Sequence, residues 1–336
     1  MLIDGAIGSD LRQAGDLARK AEAAGYDAVW SAETAHDPFL PLVLAAEHTE
    51  RIGLGTGIAV ALARSPMTLA NTAWDLNTYS QGRFLLGLGS QIRPHIEKRY
   101  SMPLSHPAPR MRELICAMKA IWDCWQNGTK LDFRGDFYTH TLMTPFFVPG
   151  ANPYGGPKVL LAAVGEGMTR VAAEVADGLL VHGFTTERYL REVTLPTVEA
   201  GLAASGRSRG DFQLSYPAYV VTGDNDEEIA AAADGVRRQI AFYASTPAYR
   251  AVLDCHGWGE LQPELNALSK QGEWEEMGRR ISDDVLDAFA VQGTPEEIPV
   301  LLSARFGDLV DRISLYMPYQ GHEVAPRVLA GMRDLG

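Results

Sequence analysis

Gly165 and Gly167 stand where an apolar run, residues 158–163, gives way to a helical pattern. Glycine lets a backbone approach a ligand closely, and the N–H groups at a helix start lack intrahelical partners, so an anion is favoured there. The same strand–glycine–helix arrangement is common in barrels that bind nothing at that point, and the segment is not a G-x-G-x-x-G fingerprint. The candidate phosphate-binding residues are Val164, Gly165, Glu166, Gly167 and Met168.

A second unusual segment lies inside the apolar run 52–60, where the sequence reads Gly55-Thr56-Gly57-Ile58-Ala59. Glycine within a strand indicates a bulge or a close approach by another group. Close packing inside a barrel explains these glycines equally well.

Three titratable side chains follow predicted strands and are candidates for proton transfer: Glu33, His36 and His182. Proton transfer requires such a group within reach of the substrate. A lone histidine is more often a surface or hydrogen-bonded structural group.

Other catalytic centres are not indicated. The sequence has no H-x-x-x-H or H-x-H pair, no C-x-x-C among its three cysteines and no G-x-S-x-G elbow. We therefore expect no metal site, no disulfide framework and no Ser-His-Asp catalysis. The locally basic run 93–99 is typical of a solvated helix face, and its place after the fourth strand also suits contact with an anionic ligand.

The elements that position these residues alternate between short apolar strands and helical patterns. Eight strands are predicted, at residues 3–7, 26–32, 52–60, 83–88, 158–163, 178–181, 212–221 and 312–317. Helices follow them, the last at 324–335, and long insertions follow strands four (about 92–157) and seven (about 244–290). Eight such units favour an α/β fold closed as a (β/α)8 TIM barrel over a doubly wound sheet. We interpret residues 1–336 as one domain whose function lies at the C-terminal strand ends.

Composition limits the partners. The chain is 46% hydrophobic and 21% charged, with a formal net charge of −12. This charge argues against nucleic-acid or anionic-membrane binding, and neither a signal peptide nor a spanning helix is visible. A cytoplasmic protein acting on a small-molecule substrate is expected.

The segment 51–91 resembles the luciferase-like flavin and deazaflavin oxidoreductases, the bacterial luciferase superfamily. Four features match in order: the GLGTG strand, Arg-x-Pro before an alanine-rich helix, the segment DLNTYSQGRF and GLG. AEAAGYDAVWSAET, LLAAVGEGMTRVAAEVADGLLVHGF and VQGTPEEIPVLL match further family segments, so the resemblance spans nearly the whole chain. GSQIRPHIEKRYSMP resembles a branch assigned to the deazaflavin coenzyme F420.

The resemblance implies a cofactor site. Gly57 and Ile58 would form a non-prolyl cis peptide in a bulge, with Ala59, behind the tricyclic ring. Backbone N–H groups of residues 164–168 would bind the coenzyme phosphate. Gly89, Ser90 and Gln91 would lie along the ribityl chain.

Two departures from the family pattern bear on the substrate. Where many members carry an acid–histidine pair after strand two, this chain has Glu33-Thr34, so Thr34 takes the place of the histidine near the ring. Ile92 stands where sugar-phosphate-oxidising members carry a glutamate. The resemblance thus argues against a sugar-phosphate substrate and leaves His36, Glu33 and His182 as proton-donor candidates.

The resulting prediction is a coenzyme F420-dependent oxidoreductase that transfers a hydride between the deazaflavin and a small organic substrate. The alternatives are an FMN-dependent monooxygenase that uses reduced flavin and O2, and a non-catalytic flavin- or deazaflavin-binding protein. A homodimer is expected from the resemblance. The helix face with Leu69, Ala73 and Leu76 suits either a partner or the barrel itself.

Overall fold

The computed structural model describes residues 1–319 and 325–335. The predicted start of the last helix, Val324, lies outside the described residues, and the helix is observed over Ala325–Asp334.

Twelve strands form within the described residues. They are β1 (Leu2–Ala6), β2 (Ala28–Ser31), β3 (Gly53–Thr56), β4 (Ala59–Val60), β5 (Phe84–Gly89), β6 (Phe133–Arg134), β7 (Thr139–His140), β8 (Lys158–Ala163), β9 (Gly178–Val181), β10 (Gln213–Val221), β11 (Ala290–Gln292) and β12 (Arg312–Tyr316).

Eight of these strands close into a parallel barrel in the order β1-β2-β3-β5-β8-β9-β10-β12, because β12 pairs with β1 and β9 with β10. This confirms the predicted (β/α)8 barrel. β4 pairs with β5, and β11 extends the sheet beside the C-terminal half of β10.

Fourteen α-helices accompany the strands in the described part of the chain. They are α1 (Leu11–Ala24), α2 (Leu40–His48), α3 (Pro66–Tyr79), α4 (Pro107–Asn127), α5 (Glu166–Val175), α6 (Glu187–Tyr189), α7 (Leu195–Ala204), α8 (Asp226–Ala244), α9 (Arg250–Asp254), α10 (Leu261–Gln271), α11 (Trp274–Arg279), α12 (Asp283–Phe289), α13 (Ile298–Phe306) and α14 (Ala325–Asp334).

Local sequence explains several boundaries. The Ser65 side chain accepts a hydrogen bond from the Thr68 N–H, and Pro66 follows it at the first helical position, so α3 starts there. α1 ends at Gly25, whose φ of 95° is the left-handed conformation that glycine adopts freely. No described helix is long and apolar enough to cross a membrane.

The core lies between the barrel and its helices. Strand residues on the outer face of the barrel are buried beneath the helices, for example Leu54, Phe84 and Leu86. Leu69, Ala73 and Leu76 of α3 belong to this same core, so that helix face packs on the barrel.

The insertions lie after barrel strands four and seven, as predicted. The first holds a π-helical turn, His95–Arg99, then α4 and the hairpin β6–β7. The second holds α9 to α12. Two details differ from prediction: the strand predicted over 52–60 is divided at Gly57–Ile58, and β11 was not predicted because three residues carry too weak an alternation.

Candidate functional site

A backbone bulge between β3 and β4 forms one side of the barrel mouth. The Gly57–Ile58 peptide is cis, as the resemblance implied. The Gly57 N–H donates to the Ser31 carbonyl at 2.8 Å, and the Glu33 N–H donates to the Ile58 carbonyl at 3.2 Å. Gly57 is exposed and Ile58 half-buried, so the bulge faces the open mouth.

The Glu33 carboxylate holds this bulge. Its oxygens accept hydrogen bonds from the Val60 N–H at 2.7 Å, from Arg64 at 2.6 Å and from the Tyr100 hydroxyl at 2.6 Å. Its side chain is only 5% exposed. Burial and the hydrogen bond to Glu33 raise the pKa of Tyr100. These contacts favour a positioning role for Glu33.

The Trp30 ring supports the bulge from inside the barrel. A Cβ added to Gly55 would lie 2.3 Å from this ring, and one added to Gly57 would lie 3.3 Å from the Trp30 Cβ. Barrel packing therefore accounts for Gly55. The Trp30 Nε1 donates to Asp4 at 2.9 Å, and Asp4 is paired with Arg312 at 2.6 Å.

The neighbouring strand β5 ends against the bulge. A Cβ on Gly89 would lie 2.7 Å from the Ile58 Cδ1, so only glycine fits without displacing Ile58. Ser90 and Gln91 follow, both half-buried, and Gln91 accepts a hydrogen bond from the Ile92 N–H at 2.9 Å. The structure thus brings Glu33, residues 57–59 and Gly89 together.

Thr34 and His36 lie on the exposed rim. The Thr34 carbonyl accepts a hydrogen bond from Arg99, which also lies 5.0 Å from the centroid of the Tyr100 ring. The basic run 93–99 is therefore beside the mouth, and its Arg93 pairs with Glu97. No hydrogen bond to His36 is formed within the described part of the chain, so no hydrogen bond directs its side chain toward the bulge.

The candidate anion site lies at the start of α5. Gly165 is the N-cap and supplies no capping side chain. The first backbone bond runs from the Thr169 N–H to the Gly165 carbonyl at 3.1 Å, so the N–H groups of residues 166–168 precede it. Gly165 and Gly167 are exposed, and a Cβ added to either would meet nothing within 4 Å. This backbone is open to a ligand.

His182 lies at the end of β9 in an aromatic environment. Its Nδ1 accepts a hydrogen bond from the Phe184 N–H at 3.0 Å, and its Nε2 lies 3.2 Å from the Tyr249 hydroxyl. Its ring stacks on Tyr249 at 4.8 Å and meets Tyr243 edge-on at 4.7 Å. Burial lowers the pKa of His182 to about 4, so the imidazole is neutral at pH 7.

His182 and the anion site adjoin the same small cavity of about 10 Å³. Val164, Thr169, His182 and Thr185 help to line it. The Thr185 Oγ1 is buried without a hydrogen-bond partner among the described residues. The predicted site residues thus fall into two groups on neighbouring arcs of the mouth: Glu33 with the bulge and Gly89, and His182 with residues 164–168.

Several contacting residues were missed from the sequence. Each of them contacts Glu33, Gly55 or His182, from which it is distant along the chain. They are Arg64, Tyr100, Trp30, Tyr243 and Tyr249. The tyrosine-rich stretch AFYASTPAY, residues 241–249, was the one available signal, but its spacing specified no partner. Within residues 1–319 and 325–335 no group of three or more His, Cys, Asp or Glu side chains is arranged to hold a metal ion.

The family model for luciferase-like monooxygenases matches residues 3–311. An uncharacterized protein of Mycobacterium tuberculosis is 57% identical over 93% of this chain and 92% of its own length. A putative coenzyme F420-dependent oxidoreductase of the same organism is 27% identical, over 84% of each chain.

A solved structure supports the architecture. The coenzyme F420-dependent tetrahydromethanopterin reductase from Methanopyrus kandleri superposes with a TM-score of 0.79, over 98% of this chain and 97% of that one. The two sequences are 20% identical, so this likeness establishes the fold.

Proposed function

The chain belongs to the luciferase-like monooxygenase family and is an oxidoreductase, and from this premise we propose that it uses coenzyme F420 to transfer a hydride to or from a small organic substrate. The observation that carries the proposal is the pair of open backbone segments at one mouth, the bulge at Gly57–Ile58 and the helix start at residues 165–168. Strand β5 lies between them in the sheet.

The residues present fit such a coenzyme. The exposed Gly57 and half-buried Ile58 offer a flat backbone surface for a ring, and nothing within 4 Å of Gly165 or Gly167 blocks a phosphate. Strands β3 and β8 are two strand spacings apart, about 10 Å. Gly89, at the end of the intervening strand, and Ser90 and Gln91, which follow it, would contact the chain that joins ring and phosphate.

When bound, the deazaflavin would supply the carbon that accepts or donates the hydride. The protein orients it. Glu33, through Val60 and Arg64, would fix the bulge, and Trp30 would support it from within the barrel. The N–H groups of residues 166–168 would stabilise the phosphate charge. We propose His36, Glu33 and His182 as the candidates for proton transfer. Thr34 would lie beside the ring.

Two observations support the choice of F420 over FMN. The 27% identical relative is a putative coenzyme F420-dependent oxidoreductase, and the basic run 93–99 lies beside the mouth. The deazaflavin carries a polyglutamate tail that FMN lacks. Arg93, Lys98 and Arg99 are exposed beside the mouth, where such a tail would leave it. Positive side chains there would make the free energy of binding more favourable for the tailed coenzyme, whereas FMN has no tail for them to contact.

The decisive experiment is a fluorescence titration of the coenzyme-free protein with F420 and, separately, with FMN. We expect tighter binding of F420, and we expect the triple variant Arg93→Gln/Lys98→Gln/Arg99→Gln to lose most of that preference. The exposed Lys130→Gln, on the first insertion, is the matched control. Preference for FMN would favour the oxygen-using monooxygenase, and binding of neither would refute the proposal.

A non-catalytic binding protein is the other alternative. Tight F420 binding without turnover of unsaturated ketones, alcohols or quinones would favour it.

We also propose that the protein is a homodimer, as the family resemblance implies. Leu40 and Val43 are exposed apolar side chains on α2 that a partner subunit would cover. Light scattering of the protein as it elutes from a size-exclusion column would measure its mass in solution, and the mass of a monomer would exclude the dimer.

A further inference from the structure

The hydrogen bonds of His182 leave the Tyr249 hydroxyl proton unused. The His182 Nδ1 accepts from the Phe184 N–H, so the proton of the neutral ring is on Nε2. Nε2–H then donates to the Tyr249 oxygen across 3.2 Å. Because Tyr249 accepts this bond, its own O–H remains free to donate, and accepting a hydrogen bond makes it a stronger donor.

The surroundings of this pair are aromatic and uncharged. Tyr243 contacts both His182 and Tyr249, and Tyr316 stacks on Tyr219 at 4.8 Å. Burial raises the pKa of Tyr249 to about 12, with a smaller contribution from Tyr243. Burial and Tyr243 also raise the pKa of Tyr316. The Tyr249 and Tyr316 hydroxyls are therefore protonated at neutral pH.

A neighbouring hydroxyl, that of Tyr219, has no hydrogen-bond partner among the described residues. The Tyr219 side chain is fully buried, and its oxygen has no hydrogen-bond partner in the described part of the chain. Its register opposite Tyr316 places both rings at the C-terminal end of the barrel. An unsatisfied buried hydroxyl is costly, so a bound oxygen atom nearby would stabilise it.

We propose that Tyr249 donates a hydrogen bond to the oxygen of an uncharged carbonyl or alcohol substrate, with His182 as its positioning residue. This rests on the proposed function and narrows its substrate class. An anionic substrate is disfavoured because a charge placed against His182, Tyr243, Tyr249 and Tyr316 would lose its hydration without gaining a cation. Arg64 and Arg99 are engaged by Glu33 and Thr34 on the other side of the mouth.

The test is calorimetric binding of acetophenone, cyclohex-2-enone and menadione, with 4-acetylbenzoate as the carboxylate-bearing counterpart of acetophenone. Each probe is titrated into the F420-loaded and the coenzyme-free protein. We expect at least one neutral probe to bind the loaded protein, and 4-acetylbenzoate to bind at least tenfold more weakly than acetophenone. Tyr249→Phe should weaken the bound neutral probe about five- to tenfold, which matches one hydrogen bond.

Matched variants separate this role from packing. Tyr154→Phe, an exposed tyrosine remote from the mouth, should change nothing. His182→Gln retains an N–H donor and should preserve probe binding, whereas His182→Leu should reduce it as Tyr249→Phe does. Thermal unfolding and F420 affinity of each variant show that the fold and coenzyme site are intact.

The outcomes distinguish the two proposals. Failure of the wild type to bind F420 would refute the proposed function. Intact F420 binding with no neutral probe bound, with equal binding of 4-acetylbenzoate, or with Tyr249→Phe unchanged would overturn the assignment of Tyr249.

Discussion

At the scale of single residues, Glu33 shows how one carboxylate orders a backbone. It joins the end of β2 to the start of β4, to Arg64 and to the first insertion through Tyr100. The sequence suggested a proton donor here, but three donors converge on the group and its side chain is almost wholly buried. Its geometry suits holding the bulge.

Replacing Glu33 by alanine is expected to destabilise the fold by about 3 kcal/mol, because the largely buried Arg64 would keep only the more exposed Asp37 as a charge partner and the Val60 N–H and Tyr100 hydroxyl would lose their acceptor. Tyr100→Phe removes one hydrogen bond and should cost about 1 kcal/mol. Denaturant unfolding measures both, and F420 affinity should fall with Glu33→Ala. Unchanged stability and coenzyme binding with abolished turnover would instead establish Glu33 as the proton donor.

His182 predicts a pH dependence of stability. Its pKa is lowered from 6.5 to about 4 by burial, so below pH 6.5 the unfolded chain takes up a proton that the folded chain refuses. The free energy of unfolding should therefore fall as the pH drops from about 6.5 toward 4. His182→Gln should make this decline shallower. Unfolding curves at several pH values, with histidine NMR titration, would check this, and an ordinary NMR pKa for His182 would contradict it.

At the scale of elements, two chain segments present backbone instead of side chains to the mouth. The β3–β4 bulge is held by β2 and Trp30, whereas the start of α5 is left uncapped. A ligand bound at both would contact N–H and C=O groups that no side-chain substitution removes. No protein atom requires glycine at Gly165 or Gly167, so close approach of a ligand is the role that we propose for them, and a stability measurement alone would not reveal it.

Gly167→Ala tests this approach. The new methyl group meets no atom within 4 Å, and alanine favours a helix, so the coenzyme-free protein should gain about 0.5 kcal/mol of stability. F420 and FMN should both bind at least tenfold more weakly, because the methyl group occupies the ligand's path. Gly210→Ala is the control, because its methyl group would make only an ordinary 3.8 Å contact with the Ser208 Oγ and is remote from the mouth. Full coenzyme affinity in Gly167→Ala would show that nothing approaches this backbone closely.

At the scale of the whole molecule, a buried ion pair joins the first barrel strand to the last. Arg312 of β12 donates two hydrogen bonds to Asp4 of β1, at 2.6 and 2.8 Å, and Asp4 also accepts from Trp30. The side chains are 6% and 0% exposed. Barrel closure and support of the bulge thus share one carboxylate.

Asp4→Asn should cost at least about 3 kcal/mol of unfolding free energy, because it leaves a buried guanidinium without its charge partner. Asp308→Asn, in an exposed pair with Arg191, should leave stability nearly unchanged. A double-mutant cycle of Asp4→Asn with Arg312→Gln should show strong coupling. Independent effects of the two substitutions would mean that the pair does not act as a clamp.

The barrel was predictable because its signals are local. Strands such as 158–163 and 178–181 are short apolar runs between helical patterns, and eight repeats of that unit leave few architectures. The glycine segments at 55–59 and 165–167 were also visible in the sequence, since glycine marks backbone that must be approached closely. The split of the third strand was not fully predicted, because β4 forms only by pairing with β5.

The sequence by itself determined the fold class, the family resemblance and the two backbone segments at the mouth, since each depends on residues adjacent in the chain. Only the tertiary structure decided what each side chain contacts. It placed Tyr249, from the second insertion, against His182 and left His36 on the rim. It also turned Glu33 toward Arg64 and Tyr100, 31 and 67 residues away. Such contacts form between residues far apart in the chain, whose meeting is fixed by barrel closure and by no local spacing.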